Sequence, residues 1–133
     1  MSVIPPEGVD LFWNDVAGLL APATAYSGGR IGIEDLHERC ADGRYLLWVA
    51  HDGEAIRAAF ATRVATYPRR KVLAVDCAGG TRMCEWIDLA QHTFRSFARD
   101  TGLDGVEMYG RSGWDRVLSR YGWKRVMVVM EVD

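Results

Sequence analysis

Apolar residues recur at helix-like intervals across residues 9–20, where Leu11, Phe12, Val16, Leu19 and Leu20 share one side of a helical repeat. Pro22 and the pair Gly28-Gly29 interrupt that pattern, which places the expected end of the first helix before them. Residues 33–41 predict a second, shorter helix. Its Leu36 and Cys40 stand four apart, while Glu34, Asp35, Glu38 and Arg39 can face water. Both helices read as amphipathic covers for a sheet.

The pattern then changes. Residues 45–51 are aromatic and aliphatic and suit a strand that loses water on at least one face. Asp52-Gly53 can supply the positive backbone torsions of a tight hairpin turn, so residues 56–66 are expected as an antiparallel partner. Pro68 and Arg69-Arg70-Lys71 mark an exposed turn, after which Val72, Leu73 and Val75 restart a strand that runs into glycines.

Thr81 is positioned to cap the next helix, over residues 84–101. Met83, Ile87, Ala90, Phe94 and Phe97 form a continuous apolar stripe there, opposite Glu85, Asp88, His92, Arg95 and Arg99. Gly102 can end the helix with a left-handed backbone. A short strand is expected at residues 106–109. Ser112 and Asp115 then offer a capping box for a helix whose buried stripe is Trp114, Val117, Leu118 and Tyr121. Gly122 permits the exit, and residues 126–132 predict a final strand. Helices alternating with strands favour an α/β layer arrangement, and the Asp52-Gly53 hairpin makes the sheet mixed and largely antiparallel.

Composition narrows the setting. The chain has 133 residues, 49% of them hydrophobic, which argues for one folded domain over residues 1–133. A net charge of -2 gives no global attraction to nucleic acid or anionic lipid. Arg69, Arg70 and Lys71, and farther on Arg111, Arg116, Arg120, Lys124 and Arg125, form local basic surface, for which a solvated face is the simpler reading. Residues 1–6 lack a basic region and a long apolar segment, and no apolar run has membrane-spanning length. The expectation is therefore a soluble, cytoplasmic protein with no membrane partner. Cys40, Cys77 and Cys84 and the scattered His37, His51 and His92 match no ligand spacing, so no metal site is expected.

Residues 33–132 together resemble the GNAT (Gcn5-related N-acetyltransferase) superfamily. The strand over 72–76, the turn over 78–82, the helix over 84–101, the strand over 106–109 and the closing segment 113–123 carry that resemblance. It implies a mixed central sheet flanked by helices, with a splay between its fourth and fifth strands. That splay would admit the pantetheine arm of acetyl-CoA, and a substrate amine, on a small molecule or a protein, would approach from the other side. At the phosphate-binding turn the chain reads Asp76-Cys77-Ala78-Gly79-Gly80-Thr81-Arg82, a partial match to the family pattern. The amides of Gly79, Gly80, Thr81 and Arg82, with the Arg82 charge, are the expected cofactor-binding groups.

Many GNAT-like enzymes carry a tyrosine four residues before the glycine of the terminal Gly-Phe or Gly-Trp pair, as an acid for the departing thiolate. Leu118 stands there, four before Gly122. Glu107 is then the expected proton acceptor, with Tyr109 as the substitute acid. His92 reads as surface, and Glu131 is a weaker acid–base candidate than Glu107. The resemblance thus implies an acetyl-CoA-dependent N-acetyltransferase acting on an unidentified amine. The alternative is a degenerate, catalytically inactive GNAT-like structural or interaction protein, including a virus-associated form.

Overall fold

A computed structural model describes the whole chain, residues 1–133. Strand β1 (Ser2–Ile4) leads through a 3₁₀ turn into helix α1 (Val9–Ala25), followed by α2 (Ile33–Ala41). Strands β2 (Leu46–His51), β3 (Ile56–Thr66) and β4 (Lys71–Gly80) come next, then α3 (Ile87–Asp100), β5 (Gly105–Met108) and α4 (Gly113–Leu118). The five strands form one sheet in the order β1-β2-β3-β4-β5. Every neighbouring pair is antiparallel except β4 and β5, which are parallel. A parallel pair needs a crossover, and α3 provides it. The mixed, mostly antiparallel sheet between helices is the expected fold class.

The β2–β3 hairpin forms where the turn chemistry requires. Gly53 takes φ 92°, and Asp52 Oδ1 accepts hydrogen bonds from the amides of Glu54 and Ala55 at 2.9 and 3.0 Å. Helices α1 and α2 bury Val9, Val16, Leu20, Leu36 and Cys40 against one sheet face. On the other face, α3 and α4 close Ile87, Ala90, Phe94 and Leu118 over Trp48, Phe60, Leu73 and Val75. The α3 stripe therefore faces the sheet as its spacing requires, and Gly102 ends the helix at φ 74°. Ala58, Ala59 and Ala61, weak strand formers, are fully buried in β3. Their small side chains admit the helices close to the sheet.

Several boundaries differ from the sequence expectation. Strand β1 is too short for a periodicity signal, yet it pairs Ser2, Val3 and Ile4 with Val49, Trp48 and Leu47. Pro22 lies inside α1 and does not end it. Packing of the Val9, Val16 and Leu20 face on the sheet outweighs the one missing amide donor. Neither expected cap forms. Helix α3 starts at Ile87, after a 3₁₀ turn at Met83–Glu85, and neither the residue before it nor Ser112 before α4 caps through its side chain. Asp115 pairs instead with Arg125. The expected final strand, residues 126–132, is absent. Its backbone makes no hydrogen bond, and its apolar side chains are exposed. An apolar run supplies strand propensity but not a pairing partner. No helix is long and apolar enough to cross a membrane.

Candidate active site where β4 and β5 part

Strand β4 has ten residues and β5 only four, so they pair over a short register from Val72↔Gly105 to Val75↔Met108. The Tyr109 amide donates to the Val75 carbonyl at 3.0 Å, and beyond it no hydrogen bond joins the two strands. Residues 76–80 of β4 therefore present a bare backbone edge on the β5 side. On the other side β4 continues against β3 with one irregularity. Ala61 pairs with Cys77 and Thr62 with Val75, which leaves Asp76 as the extra residue of a bulge. The parting of the strands is thus flanked by Asp76 on β4 and Tyr109 just past β5.

A polar cluster gathers at this point. Asp76 Oδ2 accepts hydrogen bonds from Tyr45 Oη at 2.8 Å and Arg63 Nε at 2.6 Å. Asp76 Oδ1 is buried without a protein partner. The Arg63 guanidinium lies over the Tyr109 ring, 5.9 Å from its centre. Tyr67 Oη donates to Glu107 Oε1 at 2.6 Å and is 2.8 Å from Tyr109 Oη. Glu107 and Tyr109 stand two apart, so the pleat sends both to the same face, where Tyr67 joins them from the end of β3.

The charges follow from these contacts. Its hydrogen bond to Glu107, with a second to Tyr109, holds the Tyr67 hydroxyl well above the usual tyrosine range. Burial raises Tyr45, and the Asp76 carboxylate adds to the effect. The hydrogen bond to Asp76 strengthens the hold of Arg63 on its proton. All three groups keep their protons at neutral pH. Glu107 and Tyr109, the expected acid–base candidates, lie together in this cluster, while Tyr45, Arg63, Tyr67 and Asp76 were not among the residues that the sequence singled out for chemistry. One signal was available: Asp76 is a lone acid in an otherwise apolar strand, and a carboxylate there needs partners.

The four residues expected at the phosphate turn are arranged differently from that expectation. Gly79 and Gly80 belong to β4, paired with Ala59 and Ala58. A Cβ on Gly79 would lie 1.8 Å from the Leu19 carbonyl oxygen, and one on Gly80 2.6 Å from that of Arg57. Close packing of α1 and β3 on β4 is reason enough for both glycines. The Thr81 amide is engaged by the Arg57 carbonyl at 2.9 Å. Arg82 takes a left-handed backbone, φ 56°, and its exposed guanidinium pairs with Glu85 at 2.6 Å. The Arg82 amide has no protein acceptor. The 3₁₀ turn separates all four from the first turn of α3.

The opposite side of the parting is packed. Leu118 is buried there, and Trp114 and Trp123 close against Phe60, Val75, Phe94 and Met108. They leave a cavity of about 20 Å³, against roughly 300–1,000 Å³ for a small-molecule pocket. Tyr121 packs half-buried into the same cluster. His92 is on the exposed side of α3, 3.4 Å from Asp88, and Glu131 pairs with Arg30. Neither reaches the tyrosine–carboxylate cluster.

No protein-family model and no curated protein matches this sequence. Solved structures match it along nearly its whole length. The tetramutant of the BH1408 protein from Bacillus halodurans aligns with TM-score 0.74 at 15% identity, covering 99% of this chain and 97% of that one. A GCN5-related N-acetyltransferase from Ralstonia eutropha JMP134 aligns with TM-score 0.68 at 18% identity, covering 99% and 96%. A predicted acetyltransferase from Clostridium acetobutylicum, solved with acetyl-CoA, aligns with TM-score 0.68 at 10% identity, covering 99% and 94%. At these identities what is shared is the three-dimensional arrangement, and the chain has a GNAT-like α/β fold.

Proposed function

We propose that this protein is an acetyl-CoA-dependent N-acyltransferase acting on a small-molecule or protein amine at the parting of β4 and β5. The observation that carries this reading is the chain of hydroxyls and carboxylate, Tyr109–Tyr67–Glu107, beside a bare strand edge. The unpaired backbone at residues 76–80 suits an extended ligand that bears amides. Thr81, next along the chain, contributes an exposed hydroxyl. Arg82 supplies positive charge and an unengaged amide for phosphate. The fit is better along the strand than at the turn, since the Thr81 amide is already engaged.

Acetyl-CoA would supply the activated acyl group and the leaving thiolate. The residues of this chain handle the protons. Glu107 Oε1 accepts one from the attacking amine, and Tyr109 Oη donates one on the departing side. Tyr67 Oη, within hydrogen-bonding distance of both, passes a proton between them and restores the starting state. Asp76 and Arg63 position the Tyr109 ring and act through it.

One observation favours a second reading, a catalytically inactive GNAT-like interaction protein. Leu118 cannot donate a proton, and Trp114 and Trp123 fill the α3 side of the parting. The two readings separate in one set of measurements. Titration with CoA and acetyl-CoA, followed by amide chemical shifts, should perturb residues 76–82. Acetyl transfer to a broad amine panel should fall about 10²-fold in Glu107→Gln and in Tyr109→Phe. Turnover with unchanged chemical-step rates in both variants would remove these roles. Absence of binding at millimolar ligand favours the inactive reading.

A further inference from the structure

Resting on the acyl-transfer reading for the chemistry at the amine, we infer that the acceptor is a free amino acid. Its amine goes to Glu107, and its carboxylate is bound by the free end of the Arg63 guanidinium. Arg63 on β3 pairs with Ala74 on β4, and Ala74 pairs with Glu107 on β5, so the cation and the carboxylate occupy one row across three strands. Two strand spacings put their backbones about 10 Å apart. Paired residues share a face of the sheet, and only the Ala74 methyl stands between the two in that row. Tyr67 and Tyr109 border the same patch and are exposed, and the Arg63 side chain is 38% exposed, so a solute reaches all of them.

Arg63 is fixed in place with most of its donors unused. It makes one side-chain hydrogen bond, from Nε to Asp76, and its guanidinium lies over the Tyr109 ring. Both Nη groups are without a protein acceptor. A guanidinium anchored through Nε presents its Nη groups as a planar fork, the geometry that matches a carboxylate. Arg111, which also lies over a tyrosine ring, differs in donating through Nη1 to the Tyr26 hydroxyl.

Charge then selects among amines. A diamine would bring its second cation against Arg63, and an amine without a carboxylate would leave the fork in water. A lysine side chain of a folded protein has no carboxylate beside its amine. An amino acid matches both ends of the row, nitrogen at Glu107 and carboxylate at Arg63. In the transfer, the nitrogen of the free-base amine bonds to the acetyl carbon as the thioester C–S bond breaks. The amine proton passes to Glu107, the thiolate takes the Tyr109 proton, and the carboxylate is carried unchanged into the N-acetyl amino acid. Arg63 thus has two tasks, holding the Tyr109 ring and binding substrate.

Titration of protein carrying isotopically labelled arginine tests the assignment. The probes are the common α-amino acids, β-alanine and 4-aminobutyrate, each beside the amine that lacks its carboxylate, with acetate as the carboxylate alone. At least one amino acid should move the Arg63 Nη signals and bind about 10-fold more tightly than its matching amine. The same preference should appear in KM for acetyl transfer. Arg63→Gln should erase the preference, and Arg63→Lys, which keeps the charge without the fork, should restore only part of it. If these variants fail to fold by circular dichroism, the Arg63 signals of the unmodified protein still decide. Unmoved Arg63 signals across the panel, equal affinity for the matching amines, or acetate binding as tightly as the amino acids would overturn the assignment. Turnover of amines with no preference for a carboxylate would do so too, while leaving the transferase reading intact. Amino-acid binding at Arg63 without turnover would have the opposite effect, supporting the site and removing that reading.

Discussion

Arg63 and Asp76, on neighbouring strands, meet through Nε and Oδ2 at 2.6 Å, and this ion pair fixes a carboxylate that the β4 bulge turns inward. The Asp76 side chain is only 16% exposed, and its other oxygen has no protein partner. The position is sensitive because a poorly hydrated carboxylate depends on the donors it retains.

Removal of one partner should therefore cost more than removal of both. Arg63→Met should destabilise the domain by about 2 kcal/mol, allowing for the partial exposure of the arginine. The Asp76→Asn background should reduce that cost by about 1 kcal/mol. Urea unfolding of the four members of the double-mutant cycle measures this coupling. A coupling near zero would mean that water carries the charge of Asp76 in solution.

Gly79 should prove to be a packing residue before it is anything else. With the Leu19 carbonyl 1.8 Å from its would-be Cβ, Gly79→Ala must push α1 off the sheet. A loss of about 3 kcal/mol is expected. Gly113, which has open space at the same atom, is the control. Gly113→Ala should stay within about 0.5 kcal/mol of the parent in the same denaturation assay.

Phe94 is 3% exposed and meets the rings of Trp48 and Phe60 edge-on at 5.3 and 5.2 Å. Phe94→Ala should cost about 3 kcal/mol and lower Tm accordingly. Calorimetry gives both quantities. An effect below about 1 kcal/mol would show that the α3 face is looser than its burial implies.

The thiols should divide by burial. Burial pushes Cys40 up to about 12 and Cys77 to about 11, with Cys77 adding to the shift of Cys40 and Asp76 to that of Cys77, whereas Cys84 is exposed. An alkylating reagent should add once to the native protein, at Cys84, and three times in denaturant, as read by intact mass. Both folded values lie above the ordinary thiol value of 9.0. The unfolded state therefore releases these protons first, and the stability they contribute is complete below about pH 9. It is lost as pH rises from there through the folded values. Alkaline unfolding titrations of Cys40→Ala and Cys77→Ala should show a shallower loss over that window than the parent.

The amino-acid sequence by itself determined the local elements. The apolar stripe of Ile87, Ala90, Phe94 and Phe97 made α3 and chose its buried face, and Asp52-Gly53 made the hairpin. Glu107 and Tyr109 stood out in the sequence only as separate acid–base candidates on one short strand; their sharing a face follows from the period of two in a pleat. These are properties of neighbours along the chain. Tertiary structure decided what depends on distant partners. The bulge set Asp76 against Tyr45 and Arg63, the end of β3 delivered Tyr67 between Glu107 and Tyr109, and α1 claimed Gly79. Residues 126–132 show the same division. Their side chains carry the preference for a strand, but a strand exists only where another backbone offers its hydrogen bonds, and no local pattern can specify that partner.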